Sequence, residues 1–142
     1  MDMKIVVAII LILACALAII SLSPFLETKA DNVYISAEFH PEEIQSGQST
    51  MLKIKVENQK NEEYAPVVRI RAEKNQDNQY LEFAQNEWEL YPMKYVGEVQ
   101  INEINVTAFS PASESRFNVI VSLEENEMPI FSKKIALVVV RE

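Results

Sequence analysis

One stretch limits what this chain can be before any other residue is weighed. Positions 5–22 are apolar throughout except for Ser21, and no charge interrupts them. As a helix, these eighteen residues would rise about 27 Å, close to the ~30 Å hydrocarbon thickness of a bilayer. The run is longer than the 7–15 residues typical of a signal-peptide core. Only one Lys, offset by Asp2, precedes it, and Thr28-Lys29-Ala30 makes a poor cleavage site. Its Ile, Leu and Val residues would favour insertion by about 4–7 kcal/mol at most. The expectation is a retained transmembrane anchor over 1–26, favoured over a cleaved signal, then a linker over 27–31 and one extracytoplasmic domain over 32–142.

Pro24 would stop the helix, because it lacks an amide donor and disfavours helix in the residue before it. Cys15 ends a lipobox-like Ile12-Leu13-Ala14-Cys15, so lipidation there is an alternative. Residues 16–20 stay apolar after the cysteine, which fits a small residue inside a membrane helix better than a mature lipoprotein start. A single cysteine excludes an intrachain disulfide. Lys4 before the run, and Glu27, Lys29 and Asp31 after it, predict a cytoplasmic N-terminus with the domain outside. Asn105-Val106-Thr107 is a glycosylation sequon compatible with that orientation.

Residues 31–142 suffice for one domain with its own core. They carry 11 basic against 19 acidic side chains. That balance opposes nucleic-acid binding, which depends on neutralising phosphates, and opposes docking on anionic lipid.

Alternation predicts strands. In 33–40, Val33, Ile35, Ala37 and Phe39 share one face. In 51–57, Leu52, Ile54 and Val56 oppose Lys53, Lys55 and Glu57. Between these strands, Gln45-Ser46-Gly47-Gln48-Ser49 reads as a turn. Val68, Ile70 and Ala72 alternate with Arg69, Arg71 and Glu73. Short strands are expected at 80–83 and 87–90, around Trp88, and another at 96–101 with Val99 and Ile101 on the face of Gly97. Phe117, Val119, Val121 and Leu123 form the inner face of 116–123. The last strand, 133–141, is apolar on both faces, so it is central in its sheet or covered. About seven such strands without helical spacing predict a mainly β fold, a single antiparallel sandwich of immunoglobulin-like type. With two glycines in the chain, turn positions needing positive φ fall to Asn and Asp, such as Asn78 and Asn126.

The chemistry-bearing types are sparse. His40 is the single histidine, which rules out a multi-histidine metal centre, and it reads as a solvent-facing turn residue. No nucleophile elbow accompanies it, and two isolated glycines cannot build a phosphate loop. Asn75-Gln76-Asp77-Asn78 and the acidic Glu124, Glu125 and Glu127 are read as a hairpin turn and a strand connection rather than as Ca²⁺ ligands. The expectation is a non-enzyme with no cofactor and no metal. Two surfaces stand out for interaction. Ala136, Val138 and Val140 on the last strand could take a partner strand if that strand is an edge. Arg69 and Arg71 could meet a carboxylate partner or pair across the sheet. Tyr64, Tyr80, Tyr91 and Tyr95 fall near strand ends, as adhesive aromatics or as caps on the sandwich.

The order Phe39-His40-Pro41, Ile44-Gln45-Ser46-Gly47, Leu52-Lys53-Ile54-Lys55-Val56-Glu57-Asn58 and Ala65-Pro66-Val67-Val68-Arg69-Ile70 resembles the opening of CARDB-type and related adhesion-like sandwich domains of archaeal and bacterial surface proteins. Trp88, Leu90-Tyr91-Pro92 and Ser110-Pro111 extend the similarity over about 100 residues. A glycine common near Pro92 is replaced by Met93. The resemblance implies a noncatalytic adhesion, spacer or assembly module and carries no functional residues with it. The expected partners are the lipid bilayer, through the N-terminal helix, and another envelope protein or a glycan. A structural subunit of a membrane assembly, such as an archaellum stator or pilus, is the alternative.

Overall fold

In the computed structural model the described residues are 33–142; the expectations for the anchor, the linker and Cys15 lie outside them. Nine strands form two sheets. They are β1 (Val33–His40), β2 (Glu43–Gln45), β3 (Ser49–Asn58), β4 (Val67–Ala72), β5 (Leu81–Phe83), β6 (Glu87–Glu89), β7 (Val99–Ala108), β8 (Glu114–Glu125) and β9 (Met128–Val140). One sheet has the order β1-β3-β7-β5, the other β2-β9-β8-β4-β6. All pairings are antiparallel except β2 with β9. The result is an immunoglobulin-like β-sandwich.

Alternation explains the layering. Leu52, Ile54 and Val56 of β3 are fully buried, opposite Phe39, Ala37 and Ile35 of β1 in register. From the other sheet, Val68 and Ile70 of β4, Val119, Val121 and Leu123 of β8, and Leu137 and Val139 of β9 meet them. Each fully buried Leu, Ile or Val is worth roughly 1.5–3 kcal/mol relative to exposure, so these facing stripes hold the two layers together.

Several sequence expectations need correction. The segment around Gly47 is a strand–turn unit: β2 precedes a tight turn at Ser46 and Gly47, and Ser49 already belongs to β3. Gly47 has φ +88°, which its missing Cβ permits. Asn75–Tyr80 is a short 3-10 helix, not a hairpin turn, because it carries the chain from one sheet to the other. Asn78 stabilises it, its Oδ1 accepting from the Ala72 amide at 3.0 Å and its Nδ2 donating to the Asn75 carbonyl. Strand β7 runs to Ala108, beyond the expected 96–101. Its buried face is Ile104, Val106 and Ala108, so Val99 and Ile101 point outward. Trp88 lies half-buried on β6 against the core, with no partner for its indole nitrogen.

Two ends of the sandwich can be told apart. Val33 pairs with Asn58, whose backbone also exchanges hydrogen bonds with Gly97 and Glu98. At the far end, Ser46 and Gly47 donate to the carbonyls of Val140 and Ala108, and Gln45 Nε2 donates to Glu142. The start of β1 and the end of β9 therefore sit at opposite ends.

Candidate interaction surface

The parity of each strand decides which side chains reach solvent. On β4, Val68, Ile70 and Ala72 are buried, which turns Arg69 and Arg71 outward. On β9, Leu137 and Val139 are buried, which turns Ala136, Val138 and Val140 outward, where they are half-buried. Register joins the two groups. Arg71 lies opposite Ile120, Ile120 opposite Lys134, and Ala136 follows Lys134 on the same face. All five residues singled out in the sequence thus share the outer face of the five-stranded sheet.

Their chemistry differs from one residue to the next. Arg69 is engaged: its Nη2 lies 3.0 Å from Glu87 and its Nε 3.2 Å from Glu124. That cross-strand pairing commits Glu124 to the sheet rather than to a cation. Arg71 donates only a long 3.4 Å bond to the Ala72 carbonyl and is exposed. It borders an open groove of about 590 Å³ between β4, the 3-10 helix and β5, lined also by Asn75, Asn78, Glu82 and Phe83.

The condition placed on the last strand is not met at Val138 and Val140. Strand β2 occupies that edge, pairing Glu43 with Val138 and Gln45 with Val140, and the Val138 amide donates to Glu42. A partner strand would have to displace β2. Among the described residues, no strand pairs with that side of β9 ahead of Val138, nor with the outer side of β1.

The four tyrosines divide. Tyr64 is buried under Lys60, whose ammonium stands 4.7 Å from the ring centroid, and Tyr80 stacks on Phe117 at 6.1 Å. Tyr91 and Tyr95 are exposed. His40 ends β1 in solvent, 2.9 Å from Glu38, and the pair holds the Glu38 carboxyl below its ordinary value. Asn105 is exposed on the outer face of β7, and Thr107 of its sequon shares a 2.7 Å hydrogen bond with Ser49. Among the described residues no three His, Cys, Asp or Glu side chains converge as a metal site.

Sequence reasoning placed Asn58 only at the end of a strand motif, yet it is fully buried. Its Nδ2 donates to the carbonyls of Glu62 and Met93, and its Oδ1 accepts from the Lys60 amide. The signal was an Asn closing an apolar strand, where a polar side chain must find partners to be buried.

Comparison with known proteins adds the fold alone. No family model and no curated protein matches the sequence. Among solved structures, the chain is similar to a FixG-related protein from Vibrio parahaemolyticus, with a TM-score of 0.50 and 11% identity, over 80% of this chain and 99% of that one. It is also similar to native alpha-2-macroglobulin from Escherichia coli, in the piece spanning domain MG7 to the C-terminus. There the TM-score is 0.53 and the identity 14%, over 79% of this chain and 17% of that one. Both likenesses fit a β-sandwich.

Proposed function

We propose that the chain is a membrane-anchored, extracytoplasmic sandwich serving as a noncatalytic protein-binding or adhesion module of the cell envelope, of the kind the CARDB-type resemblance implies. The observation that carries this reading is the placement of the domain's two ends. The β1 start, to which the apolar run at 5–22 leads, is opposite the end formed by Gly47, Val140 and Glu142. A chain entering at the first side leaves the second side, and the outer face of the five-stranded sheet, open to a partner. Arg71 and the groove beside it are then the polar contact, and half-buried Ala136 and Val138 lie on the same sheet face two strands away.

Carbonate extraction of membranes, followed by purification in mild detergent, tests it. The expected result is retention in the membrane fraction and recovery with substoichiometric or no partner. Loss into the carbonate wash would sink the anchoring. Recovery in a fixed stoichiometric complex would favour the second reading, a structural subunit of a membrane assembly. The feature favouring that reading is the outer edge of β1, eight residues long and unpaired by any described strand.

A further inference from the structure

The near half of β7 has its polarity reversed. Gln100 and Asn102 face the sandwich interior while Val99 and Ile101 face out, and Ile101 is 55% exposed. A strand of a half-buried sheet normally does the opposite, because a one-residue change of parity moves an apolar set into water. The inward polar groups are poorly served. Asn102 Nδ2 is buried without a partner, and Gln100 spends its amide on the backbone of Tyr91.

The reversal belongs to a wider asymmetry. Among the described residues eight large apolar side chains are exposed, and seven lie at the end where β1 begins. Tyr34 and Val99 flank Glu57 on one outer row. Tyr95 and Val96 sit in the turn whose Gly97 and Glu98 bond to Asn58, and Tyr91 is tied to Gln100. Met128 starts β9 at the tip of the β8–β9 hairpin, next to the start of β4. Only Phe109 is at the far end, beside Gly47. Tyr91 and Tyr95 are 83% and 70% exposed. Concentrated exposed apolar surface of this kind marks a contact face.

We propose that this end of the sandwich docks on the bilayer itself, with Tyr34, Tyr91 and Tyr95 at the headgroup level and Val96, Val99 and Ile101 against the interface. The inference rests on the anchoring proposed above. Eleven residues, positions 23–33, separate the apolar run from Tyr34. They reach at most about 40 Å when fully extended, so an anchored domain has this end within range of the lipid. Tyrosine is enriched at membrane–water interfaces, where its ring is apolar and its hydroxyl wet. The rim is acidic on balance: Glu57, Glu62, Glu98 and Glu127 outnumber Lys55, Lys60 and Lys94. The surface therefore selects neutral lipid and is repelled by an anionic one.

The test reconstitutes the full chain in phosphatidylcholine vesicles carrying a headgroup-level nitroxide quencher. Tyr95→Trp in a Trp88→Phe background is compared with Phe109→Trp in the same background. Quenching about three-fold greater at position 95, falling when phosphatidylserine is added, is the expected result for an interfacial aromatic. Equal quenching at both positions in protein that still floats with the vesicles overturns the docking and leaves the anchoring intact. Protein that fails to float overturns both, at the anchoring step. Shielding of position 95 that rises with protein concentration and without lipid quenching assigns the face to a second copy and overturns the proposal. If Trp88→Phe unfolds the chain, hydroxyl-radical footprinting of the unsubstituted protein in vesicles and in detergent decides: Tyr95 and Met128 must lose a larger share of their detergent-state oxidation than Phe109 does, and equal shares overturn the inference.

Discussion

Asn58 donates its side-chain amide to the carbonyl of Met93 at 3.1 Å, across thirty-five positions of sequence. The same amide reaches Glu62, and the Asn58 backbone holds Gly97 and Glu98. One buried residue thus fastens the β3–β4 connection to the β6–β7 connection at the β1-start end of the sandwich.

Replacing it exposes the cost. Asn58→Ala takes the partner from the Glu62 carbonyl and the Lys60 amide, both part-buried, while the Met93 carbonyl keeps the Tyr64 amide at 2.9 Å. Each orphaned group costs about 1–3 kcal/mol, so the loss is expected near 3 kcal/mol. Asn58→Asp should be nearly as damaging, since a carboxylate cannot donate to those carbonyls. Urea denaturation followed by circular dichroism measures both.

The β8–β9 hairpin turns on Asn126 and Glu127, with φ of 51° and 64°. Asn tolerates this left-handed backbone, but a glutamate there carries a steric cost that glycine avoids. Glu127→Gly should raise stability by about 1 kcal/mol, a Tm gain of roughly 4 °C. A scanning calorimeter reads it, and an unchanged or lower Tm would contradict the turn geometry.

Arg69 holds two carboxylates of unequal exposure. The Glu124 side chain is 13% exposed, against 53% for Glu87. Arg69→Met is expected to cost about 1 kcal/mol, mostly through Glu124, and Glu87→Gln under about 0.5 kcal/mol. Denaturation in low and high salt separates them, because the exposed pair is the one that salt screens.

The Glu38 carboxyl is held below its ordinary value of 4.5, first by its hydrogen bond to His40 and then by the charge of His40. A lowered folded value means the pair's contribution is complete above 4.5 and is lost as pH falls through the lower folded value. Carboxyl-carbon NMR titration should place the Glu38 midpoint below 4.5, and His40→Ala should return it upward. Since the Glu38 side chain is exposed and the pair is open to water, the thermal midpoint should barely move.

Most of the sandwich was legible because its strands obey one rule throughout. In β3 and β8 every second residue is apolar, and both came out with the expected inner faces. The 3-10 helix at Asn75–Tyr80 was not legible. Its Asn/Asp-rich sequence serves a hairpin equally well, and only the change of sheet decides between them. Strand β7 misled for a physical reason. Its apolar residues sit at 99 and 101, then at 104, 106 and 108, so the parity switches within one continuous strand. The shared face of Arg71, Lys134 and Ala136 depends on the register of three strands, which no single segment encodes. The block of the last strand's edge by β2 was hidden for a simpler reason: three residues are too few to show a period.

The opposition of the β1 start and the β9 end sets a reach. Strand β3 spans the distance between them with ten residues, about 33 Å at a strand's rise per residue. Anything joined after Glu142, a fluorescent protein or an epitope for instance, would leave from the pole opposite the one where the first strand begins. A probe inserted at Lys60 or Lys94 would instead share the pole of the first strand.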